Sequence, residues 1–101
     1  MDIEYELRGI IFRWDAEKER TNIRKHGGVN FRQAAQVFFD PFLVGEDATG
    51  NNEPRDGAIG VDFDLHVLYV VHIVFEDDYI RIISARKAEM AERKRYEDGN
   101  D

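Results

Sequence analysis

The sequence predicts an α+β domain: a small antiparallel β-sheet packed with two N-terminal helices and a C-terminal helix. Three observations carry this reading. Apolar runs at 58–63, 66–75 and 79–86 are separated by turns too short for a crossover, so neighbouring strands are expected to pair antiparallel. Helix-forming composition is confined to 16–26, 31–39 and 87–96. The length of 101 residues, with seven Phe, four Tyr and one Trp, suits a single core, so 1–101 is read as one domain.

Taken in order, residues 2–8 are polar and read as a loose segment or an edge strand. Residues 9–14, GIIFRW, form the first strand. Asp15 stands where an N-cap belongs, helix composition follows over 16–26, and Gly27-Gly28 supplies the stop. On that helix Lys18, Asn22, Lys25 and His26 fall within a stripe of about 120°. Only Ala16 and Ile23 mark an apolar side, so Trp14 is expected to anchor the helix. The stripe is either solvated surface or the lining of an anion or RNA site.

A second helix is expected over 31–39, with Asn30 as N-cap, Phe31, Ala34, Ala35 and Phe38 on one side, and Asp40-Pro41 as the stop. Residues 42–44 begin a strand, and 46–57 form a polar loop with Arg55 as its lone base. Asp64-Leu65 turns the 58–63 strand into 66–75, which is nearly continuously apolar and so expected to be central and covered on both faces. The acidic turn 76–78 leads into 79–86, predicting an antiparallel hairpin with 66–75 inside the sheet. That last strand runs almost without a loop into the helix over 87–96, and 98–101 is expected to fray. Simple alternation places Arg81 with Tyr79 and Ile83, and Ser84 and Arg86 with Ile80 and Ile82. Arg86 and Arg81 are candidate anion-binding groups; the alternative is that they pair with the abundant carboxylates.

The net charge of −7 argues against broad nucleic-acid binding, but it is unevenly distributed. Residues 13–32 hold six basic and three acidic side chains, and 81–95 hold six and two. Residues 40–78 hold Arg55 against ten acidic side chains. Two basic segments therefore flank an acidic middle. If they converge they make a local phosphate site on a negative molecule.

With no cysteine, a disulfide framework, a thiol nucleophile and Cys-based zinc are excluded. No phosphate-binding glycine loop or HExxH is present, and no His/Asp/Glu cluster has metal-ligand spacing, so neither cofactor nor metal is expected. His66 and His72 are expected on one side of their strand, as satisfied histidines or, alternatively, a metal pair. Nothing around Ser84 resembles a nucleophile elbow. The acidic N-terminus and the lack of a long apolar run predict a soluble cytoplasmic protein.

Trp14-Asp15, followed by Lys18, Asn22 and Lys25-His26-Gly27, resembles the opening signature of the BrnT-like toxins. Phe31, Ala34-Ala35 and 37–41 (VFFDP) continue it in order, as do Arg55, Gly60, the 66–72 strand, 80–88 (IRIISARKA), Glu92-Arg93 and Tyr96. The resemblance covers about residues 12–97. It departs at Gly27-Gly28, where one glycine is usual, and at Gln33, where Glu is common. It implies a type II toxin, a small endoribonuclease of RelE-like fold. It also implies a ribbon-helix-helix antitoxin (BrnA-like) as partner, with operator DNA contacted only through that antitoxin.

Metal-free RNA cleavage needs a base for the 2′-hydroxyl, positive charge on the phosphorane and an acid for the leaving oxygen. Arg86, Arg81, Arg55 and Lys25 are the candidates for charge neutralisation, and His26 for proton transfer. Lys18 and Tyr96 are weaker proton donors or acceptors, and with Asn22, Lys87 and Arg93 they complete the expected RNA-binding set. The alternative function is a catalytically inactive homologue, retained as a protein-binding and autoregulatory module.

Overall fold

Phe12 and Trp14 are two residues apart on one strand, so they point the same way, and both are fully buried. The core forms around them. In the computed structural model, which describes residues 1–50 and 53–99, six strands make one sheet. They are β1 (Asp2–Leu7), β2 (Ile10–Asp15), β3 (Val44–Asp47), β4 (Asp56–Val61), β5 (Val67–Phe75) and β6 (Tyr79–Lys87). The helices are α1 (Ala16–Lys25), α2 (Phe31–Gln36), which continues into a 3-10 turn at Val37–Phe39, and α3 (Met90–Asp98). The order across the sheet is β1-β2-β6-β5-β4-β3.

The β5–β6 hairpin forms as the two apolar runs predict, with β5 inside the sheet. The expected all-antiparallel sheet is corrected at one seam: β2 and β6 run parallel. After β2, α1 and α2 lead the chain to β3 at the far edge, and it works back through β4 and β5. It therefore reaches β2 from the same direction, the sense that helical crossovers produce. The seam is short, pairing only Phe12 with Ile80 and Arg13 with Arg81.

One face of the sheet carries the main core. Phe31, Ala34, Ala35 and Val37 meet Phe12, Trp14, Ala58, Leu68, Val70, Ile82 and Ala85 there. The Trp14 and Phe31 rings meet edge to face at 5.9 Å, a favoured aromatic geometry. Burial along β5 alternates: Leu68, Val70 and His72 are buried, while Tyr69, Val71 and Ile73 are partly exposed. The expectation that this strand is covered on both faces is thus corrected.

The faces of β6 are corrected too. Val71 pairs with Ser84 but His72 pairs with Ile82, so Ile83 is a β-bulge. The extra residue lets both Ile82 and Ala85 enter the core although they are three apart. As a result Tyr79, Arg81, Ser84 and Arg86 share the other face. Alternation had divided Arg81 from Arg86.

Of the two readings of the polar N-terminus the edge strand holds, as β1. Several boundaries move: the 31–39 helix tightens into its 3-10 turn after Gln36. The 42–44 segment does not start the strand until Val44, and β4 occupies 56–61 rather than 58–63. The buried Asp62 ends β4 by accepting the N–H groups of Asp64 and His66, each at 2.9 Å. Within the expected 46–57 loop, Glu46 and Asp47 belong to β3 and Asp56 and Gly57 to β4; Asn51 and Asn52 lie outside the described residues.

The last helix starts at Met90 instead of Lys87. Lys87 still pairs with Leu68, and the Ala88 N–H donates to the Val67 carbonyl at 3.0 Å. Glu89 then caps the helix, with its own N–H on the Glu92 carboxylate at 2.8 Å, half of a capping box. The helix α3 lies on the face opposite α2, over Ile59, which pairs with Tyr69 and is fully buried. Asp98 ends α3 and Gly99 is its cap; of the 98–101 tail, Asn100 and Asp101 lie outside the described residues.

Candidate functional site

The first helix has a weak apolar side, so its ends and one buried amide hold it. The Asp15 carboxylate accepts the Lys18 N–H at 3.0 Å. Glu17 and Glu19 in the first turn, and Arg24 and Lys25 in the last, complement the helix dipole. Trp14 contributes through Glu19, which accepts the indole N–H at 3.1 Å and the Phe31 N–H at 2.8 Å.

Asn22 is the residue whose role differs most from the sequence reading. It is buried, and its carboxamide is fully engaged with backbone. It accepts the Ala85 N–H at 3.0 Å and donates to the Ala85 carbonyl at 2.7 Å and the Val29 carbonyl at 3.2 Å. Where β2 has left the β6 edge, this side chain pairs with β6 as a strand would. One signal was present: asparagine is a poor mid-helix residue, and its presence there calls for a side-chain partner. Gly27 and Gly28, at φ +66° and +91°, make the left-handed turn that returns Val29 beneath it.

Between α1 and β6 lies an open cleft of about 330 Å³. Lys18, Thr21, Lys25 and His26 line it from the helix, and Ile83 and Ser84 from the bulge. Among the described residues, the side chains of Lys18, Lys25 and His26 form no ion pair. Glu17, also at the cleft, is paired to Arg20. Four residues of the predicted set, Lys18, Asn22, Lys25 and His26, are therefore brought together. Ser84 joins them as a wall residue only because of the bulge, which the sequence pattern did not signal.

The predicted arginines are placed elsewhere, each on a carboxylate. Arg81 holds Asp2 through two bonds of 3.0 Å, which lower the Asp2 pKa. Arg86 holds Glu92 through two bonds of 2.7 Å and lies over the Tyr69 ring at 4.8 Å. Arg55, before β4, contacts Glu53 at 2.6 Å, and its Nε is buried without a hydrogen-bond partner among the described residues. None of the three lines the cleft. Lys87 and Arg93 are exposed at the end of β6 and on α3. The Tyr96 hydroxyl donates to Asp40 at 2.7 Å; burial and that bond push its pKa up to about 12, away from proton transfer at neutral pH.

The two strand histidines separate. His66 precedes β5 and meets Asp62 at 2.9 Å, whereas His72 is buried edge-on to Phe38 at 4.7 Å, and burial lowers its pKa. Among the described residues, no group of three His, Cys, Asp or Glu is placed to hold a metal ion. Two unpaired ammonium groups and an imidazole around one cleft can bind an anion and move a proton beside it.

Comparison with known proteins places these features in context. The family model described as "Ribonuclease toxin, BrnT, of type II toxin-antitoxin system" matches residues 14–92, a span that includes the cleft and the Arg86–Glu92 pair. A similar solved structure is the 1.1 Å-resolution crystal structure of the Brucella abortus ribonuclease toxin BrnT, at 25% identity and a TM-score of 0.55. The similarity covers 76% of this chain and 94% of that one. No curated protein matches the chain.

Proposed function

Because the chain belongs to the BrnT family of ribonuclease toxins of type II toxin–antitoxin systems, we propose that it is a metal-independent endoribonuclease whose active site is the α1–β6 cleft. The observation that carries the site is the gathering around that cleft of Lys18, Lys25 and His26, unpaired among the described residues, while Arg55, Arg81 and Arg86 are held by carboxylates. Lys25 and Lys18 neutralise charge on the scissile phosphate, and His26 transfers the proton. Arg86 holds α3 in place. Lys87 and Arg93 supply outlying contacts to the RNA backbone.

The same reading assigns the fold to the RelE-like class, supported by the mostly antiparallel sheet with two helices before its last four strands and one after them. It takes the chain as one working domain in the cytoplasm; among the described residues no helix is long and apolar enough to cross a membrane. The antitoxin is a basic ribbon-helix-helix protein of the BrnA type. It alone contacts operator DNA, since residues 40–78 carry one basic and ten acidic side chains that repel phosphates.

The test is cleavage of a labelled single-stranded RNA by purified protein with EDTA present. Lys25→Ala and His26→Ala are each expected to lower the rate about 100-fold, the scale of losing a positioned acid–base or electrostatic group. Folded Arg86→Ala should stay within about threefold of wild type, the margin left by a group outside the cleft. Wild-type rates in both cleft variants would overturn the site. Loss of wild-type activity in EDTA would overturn metal independence. A wild type that binds antitoxin but cleaves nothing would select the non-catalytic, autoregulatory module instead.

A further inference from the structure

The two walls of the cleft are joined by backbone at one end, where α1 continues directly from β2, which pairs with β6. Beside the cleft itself they are joined again at the β6 edge. Pairing with β2 stops at Arg13–Arg81, and the next pairing of that edge is with the carboxamide of Asn22. One side chain therefore ties three segments: α1, on which it sits, β6 at Ala85, and the turn after the helix at Val29.

Asn22 is also central to the presenting face. Lys18 precedes it by four residues, and Lys25 and His26 follow by three and four, the spacings that stack side chains on one helix face. Ala85, its strand partner, directly follows Ser84 on the opposite wall. The two-bond contact thus sets both the distance and the rotation of the cationic face relative to Ser84. Because it is buried, water does not compete with it.

Resting on the reading of the cleft as the active site, we propose that Asn22 is a positioning residue for the reaction: its amide sets the geometry in which Lys18, Lys25 and His26 meet a phosphodiester held against Ser84. Asn22 also lines the cleft, but its amide N–H groups are taken by the Val29 and Ala85 carbonyls, so it positions the cationic face and donates nothing to the RNA. Substrate capture depends on the summed charge of the cleft and survives a loosened helix, whereas turnover depends on alignment.

The test uses the full chain at a temperature where each variant is folded. Asn22→Ala is expected to lower kcat for a labelled single-stranded RNA about 100-fold, the cost of misplacing catalytic groups by about 1 Å. KM should stay within about threefold, since the cations remain. Asn22→Gln keeps the carboxamide but adds a methylene. The buried site must take that extra methylene, so the variant is expected to be less stable than wild type, yet where it is folded it should still lose most of kcat. A purely stabilising role would instead leave Asn22→Gln fully active.

A second readout does not need turnover. A non-cleavable 2′-deoxy oligonucleotide is titrated into labelled protein and followed by NMR. In the wild type the amides of Lys25, His26 and Ser84 are expected to shift together; in Asn22→Ala those of α1 shift without Ser84. Wild-type kcat in both Asn22 variants, or the same shift pattern in all proteins, would overturn the proposal. If Lys25→Ala and His26→Ala cleave normally, or the oligonucleotide leaves all three wild-type amides unmoved, the reading of the cleft itself fails and the inference falls with it.

Discussion

Removing the Glu92 carboxylate is the most informative stability experiment, because it is the hub that joins α3 to the sheet. Glu92 is 8% exposed and accepts both Arg86 terminal nitrogens at 2.7 Å and the Glu89 N–H at 2.8 Å. Losing one partner of a fully buried pair costs about 3–5 kcal/mol. Exposed pairs contribute about 0.2–1 kcal/mol. The Arg86 side chain keeps 28% of its surface exposed, so Glu92→Ala is placed at about 2–3 kcal/mol. The lost half of the capping box adds about 0.5–1 kcal/mol. A total of about 3 kcal/mol lowers Tm by roughly 12 °C in a domain of this size.

The assay is thermal unfolding at pH 7, with Glu89→Ala as comparison. Glu89 is 75% exposed and 3.4 Å from Arg86, and its loss, an exposed pair plus its own half of the capping box, should cost about half as much. The pH dependence gives a second check. Burial raises the Glu92 pKa, but the bonds from Arg86 and the Glu89 N–H outweigh it, and the folded value lies below the ordinary 4.5. A depressed folded pKa contributes stability that is complete above the unfolded value and is lost as pH falls through the folded one. Wild-type and Glu92→Ala stabilities should therefore converge in acid, below pH 4.5. A Tm within about 2 °C of wild type at pH 7, a fraction of a kcal/mol here, would refute the argument, as would parallel stability curves into acid.

Two smaller perturbations probe neighbouring features. Gly28→Ala meets nothing within 4 Å but must adopt φ +91°, so its denaturation midpoint should fall by about 1–2 kcal/mol of stability with an unchanged slope; an unmoved midpoint would contradict the left-handed turn. In spectrophotometric titration, one tyrosine should ionise at about 12, and Tyr96→Phe should remove that late fraction; loss of an earlier fraction instead would show that the Asp40 bond is not formed.

What the sequence determined by itself was local. Asp15 and Asn30 are side-chain caps whose oxygens accept the N–H three residues on, and both helices start where these residues predict. The β5–β6 hairpin needed only two apolar runs and an acidic turn. The polar stripe of α1 was legible as one face because helical periodicity alone places Lys18, Lys25 and His26 together. The ordered motifs were enough to indicate the family.

Tertiary structure decided the relations between segments remote in sequence. Whether Arg86 faces a phosphate or Glu92, and Arg81 a phosphate or Asp2, depends on which charged segments fold beside each strand; charge counts are blind to that. The bulge at Ile83 arises because both Ile82 and Ala85 are drawn into the same core, and it moves Ser84 and Arg86 to the face of Arg81, which period-two alternation does not assign. The parallel β2–β6 seam follows from where two helices deliver the chain. Asn22 looked like surface because its partners, the backbone groups of Ala85, lie 63 residues away and carry no side-chain signature. Backbone hydrogen-bonding needs are the same at every residue, so only the folded edge of β6 could show which of them a side chain would meet.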